Sequence, residues 1–141
     1  GYNQYSSEVV LSKEELIKKM REKYSDFEID FNAENSIKIL EFTSSNRVKT
    51  IKIGNKEIKV LETPGHSKGG VSFLIEDNLF TGDTLFLGSI GRTDFNGGSF
   101  EEIISSIKTK LIPLGDNIKV YPGHGPSSTI SYEKMRNPYL R

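Results

Sequence analysis

The feature that most constrains this chain is the tripeptide Pro-Gly-His, which occurs twice and contains every histidine of the sequence. Pro64-Gly65-His66 comes after the alternating segment EIKVL, and Pro122-Gly123-His124 comes after IKVY. Proline fixes φ and glycine accepts positive φ, so each pair predicts a sharp turn directly after a strand. Each turn delivers a histidine to the end of a sheet. A third strand end, NLFT followed by Gly82-Asp83, delivers a carboxylate.

These three side chains indicate a common metal site. Layered α/β proteins bind ligands beyond the ends of their strands, and imidazole with carboxylate suits zinc, iron or manganese. The sequence has no cysteine, which excludes a thiolate metal site and a disulfide framework. The alternative left open by the residues alone is that the histidines are surface residues of turns and that Asp83 forms an Asx turn or caps a helix.

Hydrophobic alternation predicts the strands. Short segments at 8–11, 27–31 and 37–42 alternate or are apolar enough to form strands. TIKI and EIKVL predict a hairpin around Gly54-Asn55, and VSFLI and NLFT predict a second one. Residues 85–98 are rich in glycine and are expected to form a long loop without regular structure. IKVY is expected to be the final strand.

Capping boxes predict the helices. Ser12 with Glu15 predicts a helix that ends near Tyr24, and Ser99 with Glu102 predicts a second one. The second helix carries one apolar stripe and is expected to end at a proline: Ile103, Ile104, Ile107, Leu111 and then Pro113. A short last helix is expected at 132–136, capped by residues of the segment Ser127–Ser128–Thr129. The order of elements predicts an α/β layered domain.

The charge balance argues against two kinds of partner. The 141 residues include 19 basic and 19 acidic side chains, so no net field attracts nucleic acid or an anionic membrane. No apolar run reaches the ~20 residues that a membrane span needs, and no signal peptide opens the sequence. We therefore expect a soluble, cytoplasmic protein with no nucleic-acid and no membrane partner.

Longer motifs around these residues carry a resemblance to a known family. In order and spacing, four segments resemble the later motifs of metallo-β-lactamase-fold hydrolases: TPGHSKGG (63–70), TGDTLF (81–86), GSIGRTDF (88–95) and YPGHGPSSTI (121–130). The ending EKMRNPYL (133–140) is similar to the terminus of the short, single-domain bacterial branch of glyoxalase II-like enzymes. The resemblance implies part of a four-layer αββα fold. It makes residues 1–141 one partial domain, in which 49–141 carry the motifs and 1–48 match only through the strand and helix at 8–24.

The resemblance also implies a role for each candidate residue. His66 would bind the first metal, His124 the second, and Asp83 would bridge them. In these enzymes a hydroxide held between two zinc ions, with iron or manganese as alternatives, attacks a carbonyl such as that of an acylglutathione thioester. The loop residues Arg92, Thr93 and Asp94 would line the substrate cleft. The alternative for Arg92 and Asp94 is a structural ion pair.

The first motif of the family, H-x-H-x-D-H, does not occur in these 141 residues, which hold only two histidines. We therefore expect the C-terminal part of such an enzyme, with weak or absent metal binding and no activity on its own. We also expect it to form a homodimer, to exchange elements between copies, or to bind a complementing N-terminal segment. Two further functions stay open. One is an iron-dependent persulfide dioxygenase, whose loop resembles residues 91–95, and the other is a non-catalytic structural or interaction fragment.

Overall fold

A computed structural model describes the backbone of residues 37–42 and both the backbone and the side chains of residues 48–141. The strands expected at 8–11 and 27–31 and the helix expected at 12–24 lie outside the described residues. The chain divides into two compact units, the first ending at Lys59 and the second beginning at Val60.

The first unit contains antiparallel strands. β1 (Ile37–Phe42) pairs with β2 (Val48–Ile53), and β2 pairs with β3 (Lys56–Glu62), which runs on into the second unit. The predicted hairpin is confirmed, because β2 and β3 meet at a turn in which Gly54 has a φ of 58°. A glycine in this left-handed region is what a tight hairpin turn requires.

The second unit begins with the second predicted hairpin, β4 (Val71–Ile75) with β5 (Asn78–Gly82). The expectation of an irregular loop at 85–98 was wrong for its first part. β6 (Leu85–Phe86) and β7 (Ser89–Ile90) form a short antiparallel hairpin there. The glycines of this segment interrupt the alternation that would have predicted strands. One of them, Gly88, lies in the turn between the two strands and has a φ of 68°.

The last two strands position the site. β8 (Lys119–Pro122) runs parallel to β5, and β9 (Ser128–Thr129) pairs antiparallel with β8. Parallel neighbours end at the same edge of a sheet, and Gly82 lies opposite Pro122 in the register. The residues that follow these two strands, Asp83 and Gly123-His124, are therefore neighbours although they are about forty positions apart in sequence.

Among the described residues the first α-helix, α1 (Phe100–Ser106), begins at the predicted cap, where the Ser99 hydroxyl accepts the N–H of Glu102 at 3.2 Å. The N–H of Ser99, which a capping box assigns to the glutamate side chain, donates instead to the Gly65 carbonyl at 2.8 Å. This bond ties the start of the helix to the first Pro-Gly-His turn. The helical segment ends next to Pro113, as predicted, but it is not a regular α-helix throughout. Ser106 is followed by a π-helical turn, Ile107–Leu111, and by a 3-10 turn, Ile112–Leu114, that contains the proline.

The core of the second unit lies between this helical segment and the strands. The predicted stripe is confirmed, because Ile103, Ile107 and Leu111 are fully buried and Ile104 packs against them. The rest of the cluster comes from the strands, the loop before β8 and the last helix: Leu79, Leu85, Ile118, Val120 and Ile130. Burial of such side chains contributes ~1.5–3 kcal/mol each.

The last helix, α2 (Ile130–Arg136), begins two residues earlier than predicted because Thr129 is its N-cap, accepting the N–H of Tyr132 at 3.0 Å. A 3-10 turn, Pro138–Leu140, follows it. Within the described ranges no helix is both long and apolar enough to cross a membrane.

Candidate metal centre

Asp83 lies between the two histidines of the sequence. Nδ1 of His124 is 2.9 Å from Oδ1 of Asp83, and Nε2 of His66 is 3.6 Å from Oδ2. The two oxygens of one carboxylate thus face two different imidazoles. The structure therefore brings together the three residues that were singled out from separate strand ends.

The His66 ring is held in one tautomer. Its Nδ1 lies 2.8 Å from the backbone carbonyl oxygen of Arg92. A carbonyl can only accept a hydrogen bond, so Nδ1 carries the proton, and in the neutral ring Nε2 keeps its lone pair. That lone pair faces Asp83. Histidines that bind metals are commonly fixed in this way, with the second ring nitrogen donating to a carbonyl or carboxylate.

The His124 ring is held less tightly. Its Nδ1–H donates to Asp83, and the side chain is 77% exposed. The ring makes a T-shaped contact with Phe86, with 6.1 Å between the two centroids. For His124 to offer a lone pair beside Asp83, Nδ1 must lose its proton or the ring must turn to present Nε2. Turning an exposed ring requires no repacking. Within residues 37–42 and 48–141, no three or more His, Cys, Asp or Glu side chains are grouped so that they could hold a metal ion.

Two glycines allow the close approach of these loops. A Cβ on Gly123 would lie 2.7 Å from Oδ1 of Asp83, and a Cβ on Gly91 would lie 1.7 Å from the Asp83 carbonyl oxygen and 3.4 Å from Nδ1 of His66. The N–H of Gly123 also donates to the Gly82 carbonyl at 2.7 Å. Gly123 was expected to serve only a turn, whereas here it also leaves space for the carboxylate.

The loop after Asp83 carries an ion pair. The guanidinium of Arg92 donates to both carboxylate oxygens of Asp94, at 3.0 and 2.8 Å. The hydrogen bonds to Asp94 raise the pKa of Arg92, and those from Arg92 lower the pKa of Asp94. Thr93 between them is half-buried. The structure thus contains the ion pair that was the alternative interpretation of Arg92 and Asp94, and both side chains are exposed.

An exposed aromatic ring joins this pair to the metal-binding candidates. The Arg92 guanidinium lies 4.3 Å from the centroid of the Phe95 ring, and the same ring stands edge-on to His66, with 5.9 Å between centroids. Phe95 keeps 49% of its surface exposed. The loop therefore places a cation and an apolar ring beside His66.

One group of contacts near the site was missed by sequence reasoning. The fully buried carboxylate of Glu133 accepts hydrogen bonds from the Gly88 N–H at 3.0 Å, the Asn137 side chain at 3.0 Å and the Ser128 hydroxyl at 2.5 Å. Of the segment expected to cap the last helix, Thr129 does so and Ser128 bonds to Glu133 instead. The available signal was the i, i+4 spacing of Glu133 and Asn137 within EKMRNPYL.

Known proteins resemble this chain in sequence and in fold. The family model described as the Metallo-beta-lactamase superfamily matches residues 8–128. Hydroxyacylglutathione hydrolase GloC of Haemophilus influenzae is 47% identical over 92 residues, which are 64% of this chain and 43% of that protein.

Two crystal structures show the same kind of likeness. The B3 metallo-beta-lactamase BLEG-1 superposes with a TM-score of 0.63 and 46% identity, over 65% of this chain and 45% of its own. A protein crystallised in a di-iron-bound form superposes with a TM-score of 0.58 and 38% identity, over 63% of this chain and 44% of its own. The chain thus spans less than half the length of each protein that it matches here.

Proposed function

Because this chain belongs to the metallo-β-lactamase superfamily, we propose that it contributes half of a two-metal site to a hydrolase that cleaves thioesters. In this proposal His66 binds one ion, His124 binds the other, and Asp83 binds both. The observation that carries it is the Asp83 carboxylate, whose two oxygens face the two histidines at 3.6 and 2.9 Å. A carboxylate is suited to bridging because it has one oxygen for each ion.

The donor set fits such a site. Two imidazoles and a carboxylate suit zinc, and the di-iron-bound neighbour supports iron as an alternative. The bond from His66 to the Arg92 carbonyl already presents the Nε2 lone pair on the side of Asp83. When bound, ions of this kind lower the pKa of a water molecule and polarise a carbonyl oxygen, which is the chemistry that thioester hydrolysis needs.

The chain's own ligands are too few for two complete ions. A catalytic zinc usually has three protein ligands, whereas here each ion would have one histidine and a shared aspartate. Both histidines of the 141 residues are already used, so further histidine ligands must come from outside them. We propose that a segment carrying H-x-H-x-D-H completes the site, in cis or in trans, and that the 141 residues alone bind metal weakly.

The proposed substrate is an acylglutathione-like thioester. Its support is the relative named hydroxyacylglutathione hydrolase and the loop that places Arg92 and Phe95 beside His66. Arg92 is well suited to an anionic group of the substrate, because its planar fork binds carboxylates with two parallel hydrogen bonds. Such a group would replace Asp94, whose side chain is exposed.

We expect Arg92→Ala in the completed enzyme to raise KM for an anionic acylglutathione about 10-fold or more, since a hydrogen bond to a charged group is worth roughly 1.5–3 kcal/mol. Metal content should not change, because the backbone carbonyl that orients His66 is retained. Steady-state kinetics with a charged and an uncharged thioester checks this. Lys68→Ala, another cation close in sequence to His66, is the matched control. An equal rise in KM for both thioesters would contradict a charge-specific contact.

The function itself is tested by supplying the missing ligands. The chain is produced with a segment that carries H-x-H-x-D-H, loaded with zinc or with iron, and assayed for thiol released from an acylglutathione. We expect hydrolysis that depends on both the segment and the metal. If the protein hydrolyses no thioester but its iron form consumes oxygen in the presence of a persulfide, the result would instead establish the dioxygenase function that residues 91–95 suggest. Inactivity toward thioesters, lactams and persulfides alike would support the structural interpretation.

A further inference from the structure

We propose that Glu133 is a positioning residue whose buried carboxylate holds the loops of Asp83 and His124 in register. The inference rests on the proposed function, because it assigns Glu133 a part in building that metal centre. Glu133 is fully buried and lies on α2, outside the segments that carry the ligands. Three donors converge on its two oxygens.

One arm of this network reaches the hairpin of β6 and β7. The N–H of Gly88, in the turn, donates to Oε1 of Glu133, and the Asn137 amide bridges Oε1 and the carbonyl of Ser89, each bond measuring 3.0 Å. At its open end the hairpin is closed by the Gly91 N–H, which donates to Thr84 at 3.1 Å.

This hairpin connects two parts of the metal centre. Asp83 lies two residues before its first strand, and the carbonyl of Arg92, which orients the His66 ring, lies two residues after its second. Fixing the turn at Gly88 therefore constrains both the bridging carboxylate and the tautomer of the first histidine.

The other arm reaches the loop of the second histidine. The Ser128 hydroxyl, four residues after His124, donates to Oε2 of Glu133 at 2.5 Å. Ser128 also begins β9, which pairs with Val120 of β8, the strand that leads into Pro122-Gly123-His124. The loop is thus held at both ends, by β8 on one side and by Glu133 on the other.

A buried carboxylate is costly unless donors satisfy it, so its presence needs a reason beyond packing. An apolar side chain would fill the same volume on α2, but it would leave the Gly88 and Ser128 donors without acceptors. Only a side chain that ends in two hydrogen-bonding atoms can hold both loops at once. Glutamine keeps this capacity, because its oxygen can serve Gly88 and its amide can donate to a rotated Ser128 hydroxyl.

The first test measures the zinc affinity of the completed protein, which includes the segment carrying H-x-H-x-D-H, and of its variants by competition with a chromophoric chelator. Glu133→Ala should weaken affinity roughly 10- to 100-fold, the usual effect of losing a residue that orients metal ligands. Glu133→Gln should restore affinity to within a few-fold. Leu111→Ala, a buried truncation away from the loops, should lower the unfolding midpoint and leave the affinity of the folded protein unchanged. Equal losses in all three variants would overturn the inference.

The second test needs no metal, which separates this inference from the proposed function. Amide hydrogen exchange reports the Gly91 and Gly123 N–H groups, which close the two loops. Glu133→Ala should accelerate both about tenfold or more through local opening, and Ser128→Ala should accelerate Gly123 alone. If both amides exchange in the Glu133→Ala variant at the same rates as in the unchanged protein, the positioning role is overturned, even if zinc binds. Failure of the unchanged chain to bind zinc in any completed form would count against the proposed function only.

Discussion

Replacing Asp83 by alanine should remove metal binding from the completed site. We expect zinc affinity to fall more than about 100-fold, beyond the ~10–100-fold cost of losing a residue that only orients a ligand, and thioester turnover to be lost with it. The reason is that Asp83 is the one carboxylate that both histidines face in the described part of the chain, at 2.9 and 3.6 Å. Competition titration with zinc, together with metal analysis after dialysis, measures the effect.

The fold should survive this change, so that the loss is specific. The Asp83 side chain is 37% exposed, and substitutions at such positions usually alter stability by no more than about 1 kcal/mol. Asp77→Ala is the matched control, since it removes an exposed aspartate from the β4–β5 turn and keeps the backbone carbonyl that accepts the Lys119 N–H. A stoichiometric zinc complex of unchanged affinity in the Asp83→Ala protein would contradict the proposed bridging role.

Gly65→Ala should be the most destabilising of the substitutions considered. Gly65 has a φ of 141°, and a Cβ there would lie 2.3 Å from the Ile103 Cα in helix α1. The variant therefore combines backbone strain, which costs ~1–3 kcal/mol, with a steric clash. Only a shift of the backbone can relieve this clash, because the atoms that are met include the backbone of Ile103. We expect a loss of more than about 3 kcal/mol, a large part of the ~5–15 kcal/mol that stabilises a typical domain. Urea unfolding followed by circular dichroism measures it.

Gly115→Ala separates the two causes. Gly115 also has a positive φ, 127°, but a Cβ there meets no atom within 4 Å. This variant should show the cost of strain alone. Equal destabilisation by both variants would contradict the expected contribution of the clash with α1.

The strand ends and the three candidate ligands could be predicted because their signals are local. A Pro-Gly turn after an alternating segment identifies a strand end, and the parallel neighbours β5 and β8 then bring Asp83 and His124 to one edge. The apolar stripe of α1 and the caps at Ser99 and Thr129 follow the same local rules. Patterns of this kind depend on a few consecutive residues, which is why they can be recognised without the fold.

The remaining features depend on contacts between distant residues. The bond from His66 to the Arg92 carbonyl joins residues 26 positions apart, and the bond from Gly88 to Glu133 joins residues 45 apart. The close approach of Gly91 to Asp83 has no sequence signature beyond a glycine in a glycine-rich loop. The π-helical turn at Ile107–Leu111 was likewise not predicted, because Pro113 indicates only where the helix ends and not the geometry of the turns before it. None of these can be deduced before the strands are packed.

Metal binding and folding should be coupled in the completed protein. Ligands from this chain and from the complementing segment must meet before either ion is held, so zinc should raise the unfolding midpoint, and the rise should grow with the logarithm of its affinity for the folded state. In the proposed role, Glu133 would affect metal affinity through the loops that it holds.

Anomalous X-ray scattering at the zinc absorption edge tests the central claim most directly. Crystals of the completed protein grown with zinc should show two peaks beside Asp83. One peak should lie ~2.0–2.1 Å from Nε2 of His66, and the other should lie at a similar distance from a ring nitrogen of His124. Each peak should also lie ~2.0–2.2 Å from one oxygen of the Asp83 carboxylate. Peaks located elsewhere on the chain, or an Asp83 carboxylate that still accepts only the His124 N–H while zinc is bound, would contradict the account.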